Sequence, residues 1–190
     1  GIVVDLMFYG SDNFVGEPID GYGHPYAVLS KAAARALAKV QTDLVGMGLG
    51  LKVFDAYRPQ RAVDHFVRWS ERPDDLKAKA KHYPNVAKVD LHNGYIARRS
   101  EHSRGSAVDL TIVYWEAAGI VRELDMGTPI DFFDPASWPS SRAVSPQQRA
   151  NRALLRSVMM LNGFVPYFRE WWHFRLKDEP FPDTYFDFPL

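Results

Sequence analysis

Apolar residues recur at helical spacing through Ala33, Leu37, Val40, Leu44 and Met47, and Ser30 stands where an N-cap is expected. Gly46, Gly48 and Gly50 end that run, after which residues 51–54 read as a buried strand stopping at Asp55-Ala-Tyr-Arg-Pro59. Proline is favoured at the first helical position, so a second helix is expected over 59–71. A third follows Ser145-Pro-Gln-Gln148, a capping box with proline in the first turn. Its apolar face runs Ala150, Leu154, Val158, Leu161, and Asn162-Gly163 closes it. Period-two alternation is clearest over 107–114, where Val108, Leu110 and Ile112 share one face and Ala107, Asp109 and Thr111 the other. Shorter strands are expected at 3–8, in a hairpin through Gly119 to Val121, and in an antiparallel pair over 164–167 and 171–176. Residues 72–94 read as a charged surface excursion with one short helix, and 125–147 as a long loop. Loops of that length inside a compact domain commonly carry function. The tail from Pro180 to Leu190 is expected to pack irregularly.

A chain of 190 residues suits one domain, taken as 1–190. Its hydrophobic fraction of 46%, with 14% aromatic, is enough for a packed core and argues against global disorder. Lys plus Arg and Asp plus Glu number 23 each, and no basic run marks a nucleic-acid or lipid partner. No apolar stretch is long enough for a membrane span. The absence of cysteine excludes disulfides, thiolate ligands and a cysteine nucleophile. The chain opens Gly1-Ile-Val-Val, without a signal-like pattern. The cytoplasm is the expected compartment, and the periplasm the alternative if a leader has been removed.

Candidate chemistry concentrates in His102-Ser-Arg-Gly-Ser-Ala-Val-Asp109 and Glu170-Trp-Trp-His173. Together they offer two imidazoles and a carboxylate for a metal ion, and a second carboxylate for proton transfer; a catalytic zinc site with three protein ligands leaves its fourth position to water. Extended, His102 and Asp109 would lie too far apart, so the metal reading needs Gly105 to turn the chain back. It also needs Glu170 in the bend before a strand carrying His173, because residues three apart on a strand face opposite ways. The competing readings are an Asp109–Arg104 ion pair with an exposed His102, and a surface Glu170 with a core His173. Arg58, held extended before Pro59 at a strand end, can bind a carboxylate or a developing oxyanion, or pair with Asp55. His24, His65, His82 and His92 lack partners at ligand spacing and read as structural or surface residues.

These stretches resemble the zinc D-alanyl-D-alanine dipeptidases known from vancomycin resistance, part of a superfamily that shares its fold with the hedgehog signalling domain. The resemblance runs through nearly the whole chain. Besides the stretches already quoted it includes Asp12-Asn-Phe-Val-Gly16, Met126-Gly127 with Asp131, and Tyr185-Phe-Asp-Phe-Pro189. It implies an α+β fold, with helices packed on a central, mainly antiparallel sheet. It implies one zinc ion per chain held by His102, Asp109 and His173, with Glu170 as general base and then acid. Arg58 would stabilise the transition state and Asp131 would receive the ammonium of a small dipeptide. Two positions depart from the family's pattern. Glu101 replaces a small polar residue, where an anion can repel a substrate carboxylate, bind an amine or face solvent. Met7-Phe8 replaces Lys-Tyr, which removes a hydroxyl from reach of substrate. Alternatives within the superfamily are a peptidoglycan-stem D,D-carboxypeptidase or L,D-endopeptidase. Outside catalysis the alternatives are a hedgehog-like zinc module and a metal-free domain. No nucleic acid is expected as partner, and the oligomeric state stays open.

Overall fold

Strand β3 (Ala107–Trp115) is the axis of a six-stranded sheet. Along one edge it pairs antiparallel with β2 (Leu49–Asp55), which is followed by the short parallel strand β1 (Val3–Val4). Along the other edge β6 (His173–Leu176) takes the Ala107–Asp109 end and β4 (Val121–Glu123) the Val113–Trp115 end. β5 (Phe164–Pro166) completes the order beyond β6. Every neighbouring pair except β1 with β2 is antiparallel, as the resemblance implied. The computed structural model describes residues 1–190.

The helices follow from their caps and stripes. Ser30 Oγ accepts the backbone N–H of Ala33 and starts α1 (Lys31–Val45). α1 buries Ala33, Leu37, Val40 and Leu44, whereas Met47 falls past its end and is exposed. Pro59 is the N-cap of α2 (Gln60–Ser70), one residue outside the expected start. The excursion holds the single turn α3 (Lys79–His82) and a 3-10 turn at Lys88–His92. Both halves of the Ser145/Gln148 capping box are formed at the start of α4 (Pro146–Leu161). α1 and α4 pack on each other, α1 against β2 and α4 against β5. The tail contains neither helix nor strand, but Phe186 N–H reaches Ser103 O and Tyr57 Oη reaches Phe188 O.

Two expectations need adjusting. β1 is shorter than 3–8 because the chain bends into a turn closed by Tyr9 N–H on Leu6 O, although Asp5 and Met7 still donate to Val53 and Phe54. β6 starts at His173, so Trp171 and Trp172 belong to the turn before it. The face of β3 carrying Asp109 and Thr111 is as buried as the apolar face, since all residues from Ala107 to Val113 lie inside. The charge of Asp109 on the central strand of this sheet therefore needs partners within the protein, whereas the Thr111 hydroxyl lies buried without one.

Gly105 adopts φ 73° and ends a 3-10 turn over Glu101–Arg104. Its N–H closes that turn on His102 O, and its carbonyl accepts the N–H of Ser30 at 2.7 Å. A Cβ there would meet only Ser30 N at 3.8 Å, so substitution costs conformation rather than space. We expect Gly105→Ala to destabilise by about 1–2 kcal/mol, a Tm decrease of roughly 2–8 °C. Thermal unfolding checks this, and an unchanged Tm contradicts it.

Candidate metal and catalytic site

Register brings the first two residues together. Asp109 on β3 is the direct partner of His173 on β6, although 64 residues separate them in the chain. Directly opposed residues of an antiparallel pair hold their Cβ atoms about 5 Å apart, within reach of one small ion. On its other side Asp109 faces Asp55 of β2, across an irregularity where one extra residue shifts the register after Val53. His102 comes from the 3-10 turn that Gly105 folds back over the start of β3. Both conditions of the metal reading are thus met: the Gly105 turn, and Glu170 in the connection before β6.

The ligand atoms face one another. His102 Nε2 lies 3.1 Å from His173 Nδ1 and 3.2 Å from Asp109 Oδ2, and His173 Nδ1 lies 3.0 Å from Asp109 Oδ1. Tetrahedral zinc with bonds near 2.0–2.1 Å separates its ligands by about 3.3 Å. The outer nitrogens are committed elsewhere. His102 Nδ1–H donates to Ala56 O at 2.6 Å, and His173 Nε2 lies 3.2 Å from Glu101 Oε2. That assignment leaves a lone pair on each inner nitrogen, and two lone pairs at this separation repel unless a proton or a cation lies between them. The donor set therefore fits a zinc ion bound by two imidazoles and one carboxylate.

The same logic governs the site without metal. Burial opposes the imidazolium of His173, but hydrogen bonds to Asp109 and Glu101 outweigh it and raise its pKa to about 10. Burial pushes the Asp109 carboxyl up, yet His102 and His173 hold it well below the usual carboxylate range. A proton thus occupies the place suited to a cation, and metal binding must displace it.

Arg58 forms the ion pair with Asp55 and also opens onto the cavity. Its Nε donates to Asp55 Oδ2 at 2.9 Å with Nη2 in ion-pair contact at 2.8 Å, while Nη2 reaches Asp109 Oδ2 at 3.5 Å. The guanidinium sits over the rings of Phe8 and Phe66 at 5.0 and 5.2 Å. Burial disfavours its charge, but Asp55 and Tyr22 keep it protonated. Phe8 accordingly supports Arg58 from below and does not line the cavity.

The cavity measures about 250 Å³ and is walled in part by Phe14, Phe66, Tyr95 and Phe133. Arg58, Glu101, His102, Asp109, Asp131, Glu170 and His173 all open onto it. Asp131 and Phe133 bring the long 125–147 loop into the wall. Asp131 takes φ 52°, rare outside glycine, and is buried with Oδ2 lacking any partner. Burial first, then the charges of Asp109 and Glu170, raise its pKa well above the ordinary value.

The competing readings of the sequence fail on contacts. Arg104 pairs with Glu179 and Glu101 rather than with Asp109, and His102 is buried. Glu170 is buried too. Of the remaining histidines, His92 reaches the cavity wall, but its nitrogens face Ser70 Oγ and Ile96 O. Sequence reasoning missed Asp55 as a site residue: besides Arg58 it accepts the Tyr22 hydroxyl at 2.6 Å. Its signals are its place at a strand end three residues before Arg58, with which a pairing is anticipated, and its inclusion in the Asp55–Pro59 stretch.

The peptidase M15 family model, described as D-ala-D-ala dipeptidase, matches residues 1–190. The chain belongs to this family. It is 46% identical to the D-alanyl-D-alanine dipeptidase of Streptomyces coelicolor and 41% identical to that of Enterococcus faecalis, each match covering 100% of this chain and 93% of the relative. Among solved structures, the vancomycin-resistance D,D-pentapeptidase VanY in complex with Zn(II) is 16% identical with a TM-score of 0.49, over 84% of this chain and 78% of that one. For a member of the dipeptidase family, zinc is the cofactor that the His102, Asp109 and His173 cluster suits. No helix is long and apolar enough to cross a membrane.

Glu170 supplies the test of the site's electrostatics. Burial raises its carboxyl; His173 lowers it and Asp109 raises it again, leaving it at about 8 in the metal-free protein against an ordinary 4.5. The folded form therefore holds a proton that the unfolded form releases, so stability falls as pH rises from 4.5 through about 8. Metal-free Glu170→Gln should match the parent protein at about pH 5 and exceed its Tm by several degrees at about pH 9. Equal melting at the higher pH would contradict the assignment.

Proposed function

We propose that this chain hydrolyses D-alanyl-D-alanine, with residues 1–190 acting as one catalytic domain. The observation carrying this reading is that a buried, unpartnered carboxylate and a three-residue metal cluster open onto the same cavity. The Asp131 carboxyl lines the cavity and its buried Oδ2 has no donor within the protein, so the free ammonium of a dipeptide would give this side chain its missing partner. A cavity of about 250 Å³ suits a substrate of that size, lying below the roughly 300–1,000 Å³ usual for small-molecule pockets. A longer peptidoglycan stem would place a peptide group where Asp131 expects a charge.

His102, Asp109 and His173 hold the zinc. When bound, zinc acidifies a water to a pKa of about 7 and polarises the scissile carbonyl. Glu170 takes the proton of the attacking water and passes it to the leaving amine; its raised pKa suits a group that both accepts and returns a proton near neutrality. Arg58 is anchored by Asp55 and directs Nη2 toward the cavity side of Asp109, where it can bind the oxyanion as charge develops. Asp131 sets the register by fixing the amino terminus.

A panel of D,D-, L,D- and L,L-dipeptides with one tripeptide tests the reading, and D-Ala-D-Ala should be turned over best. Preference for the tripeptide would replace the dipeptidase assignment with a stem peptidase. Arg58→Ala should lower kcat by about 10²–10³-fold with zinc retained. Glu170→Ala should keep zinc and lose nearly all turnover, whereas His173→Ala should lose zinc by elemental analysis. Substantial turnover by Glu170→Ala would remove it as the base.

A further inference from the structure

We propose that Glu101 is a positioning residue for the metal centre: it orients the His173 ring so that Nδ1, and not Nε2, faces the ion. This inference rests on the metal reading of His102, Asp109 and His173. An imidazole on β6 can turn about its χ2 bond, and either nitrogen can ligate a metal. The partner of the outer nitrogen decides which one does. For His102 that partner is the carbonyl of Ala56, and for His173 it is Glu101 Oε2 at 3.2 Å.

Glu101 is itself held in place. Its Oε1 accepts from Arg104 Nη2 at 3.3 Å and is ion-paired with Arg175 Nε at 3.0 Å. Arg104 is fixed in turn by two bonds of 2.8 Å to Glu179, whose side chain is 6% exposed. His173 and Arg175 stand two apart on β6, so both project from the same face toward the 3-10 turn that carries Glu101. Glu101 stays partly exposed at the cavity mouth, its side chain 39% accessible, but both of its oxygens face cationic or imidazole partners. A side chain as short as serine could not span this gap, so the chain Glu179–Arg104–Glu101–His173 needs a long carboxylate at this position.

Zinc affinity, read by competition with a chromogenic chelator, tests the proposal without relying on turnover. Glu101→Ala and Glu101→Ser should weaken zinc binding by about 10–100-fold, the usual effect of removing such a support. Glu101→Gln keeps an oxygen for the Nε2–H and should stay within about tenfold of the parent protein. Circular dichroism and Tm establish which variants are folded. An unchanged zinc Kd in a folded Ala or Ser variant overturns the proposal. So does a rise in dipeptide KM at unchanged zinc Kd, which would make Glu101 a substrate contact. If the parent protein itself binds no zinc, the metal reading fails, and this inference fails with it.

Discussion

Asp109 is an anion in the middle of the central strand, with both faces of that strand buried, and the local structure is arranged around this fact. A carboxylate so placed would protonate or destabilise the fold unless cations surround it. Arg58 approaches from the β2 side, His102 from the 3-10 turn and His173 from β6, so that three separate segments are drawn to one carboxyl group. A divalent ion meets the same demand more fully than a proton on His173 does. Metal binding and local charge balance are therefore one property of this sheet.

Asp55, Asp131, Glu170 and Glu101 lie close by, and each is resolved differently. Asp55 is saturated by Arg58 and Tyr22, and Glu101 by His173 and two arginines. Glu170 and Asp131 are left with raised proton affinity because burial dominates and no arginine pairs with them directly. That asymmetry divides the carboxylates into two already paired within the protein and two that are not, and the proposed roles follow the same division. The α-helices contribute at a distance, by clamping the sheet whose register aligns Asp109 with His173.

Much of this was legible in the residues. Ser30, the Ser145/Gln148 capping box and the alternation over β3 announce their elements, because caps and hydrophobic periodicity act within a few residues of chain. The His102 to Asp109 stretch and the Glu170–His173 pair offered metal ligands by residue type, but those residues alone left ion-pair and core readings open, and the family resemblance favoured the metal. The Gly105 turn could be anticipated as well, since only a tight bend lets His102 and Asp109 share an ion. The start of β6 and the length of β1 were read less well, since strand ends depend on pairing rather than on local preference.

The sequence by itself determined which side chains were available, where the helices begin, and which family they belong to. Only the tertiary structure decided that Asp109 opposes both His173 and Asp55, because cross-strand register is set by packing between segments dozens of residues apart. It also decided which groups surround Glu101, namely His173, Arg104 and Arg175. Those surroundings turn on Arg104 of the same 3-10 turn together with Arg175 and Glu179, which arrive from a distant part of the chain. Electrostatic pairing in a buried site depends on separations of a few ångströms in space, which one-dimensional spacing does not encode.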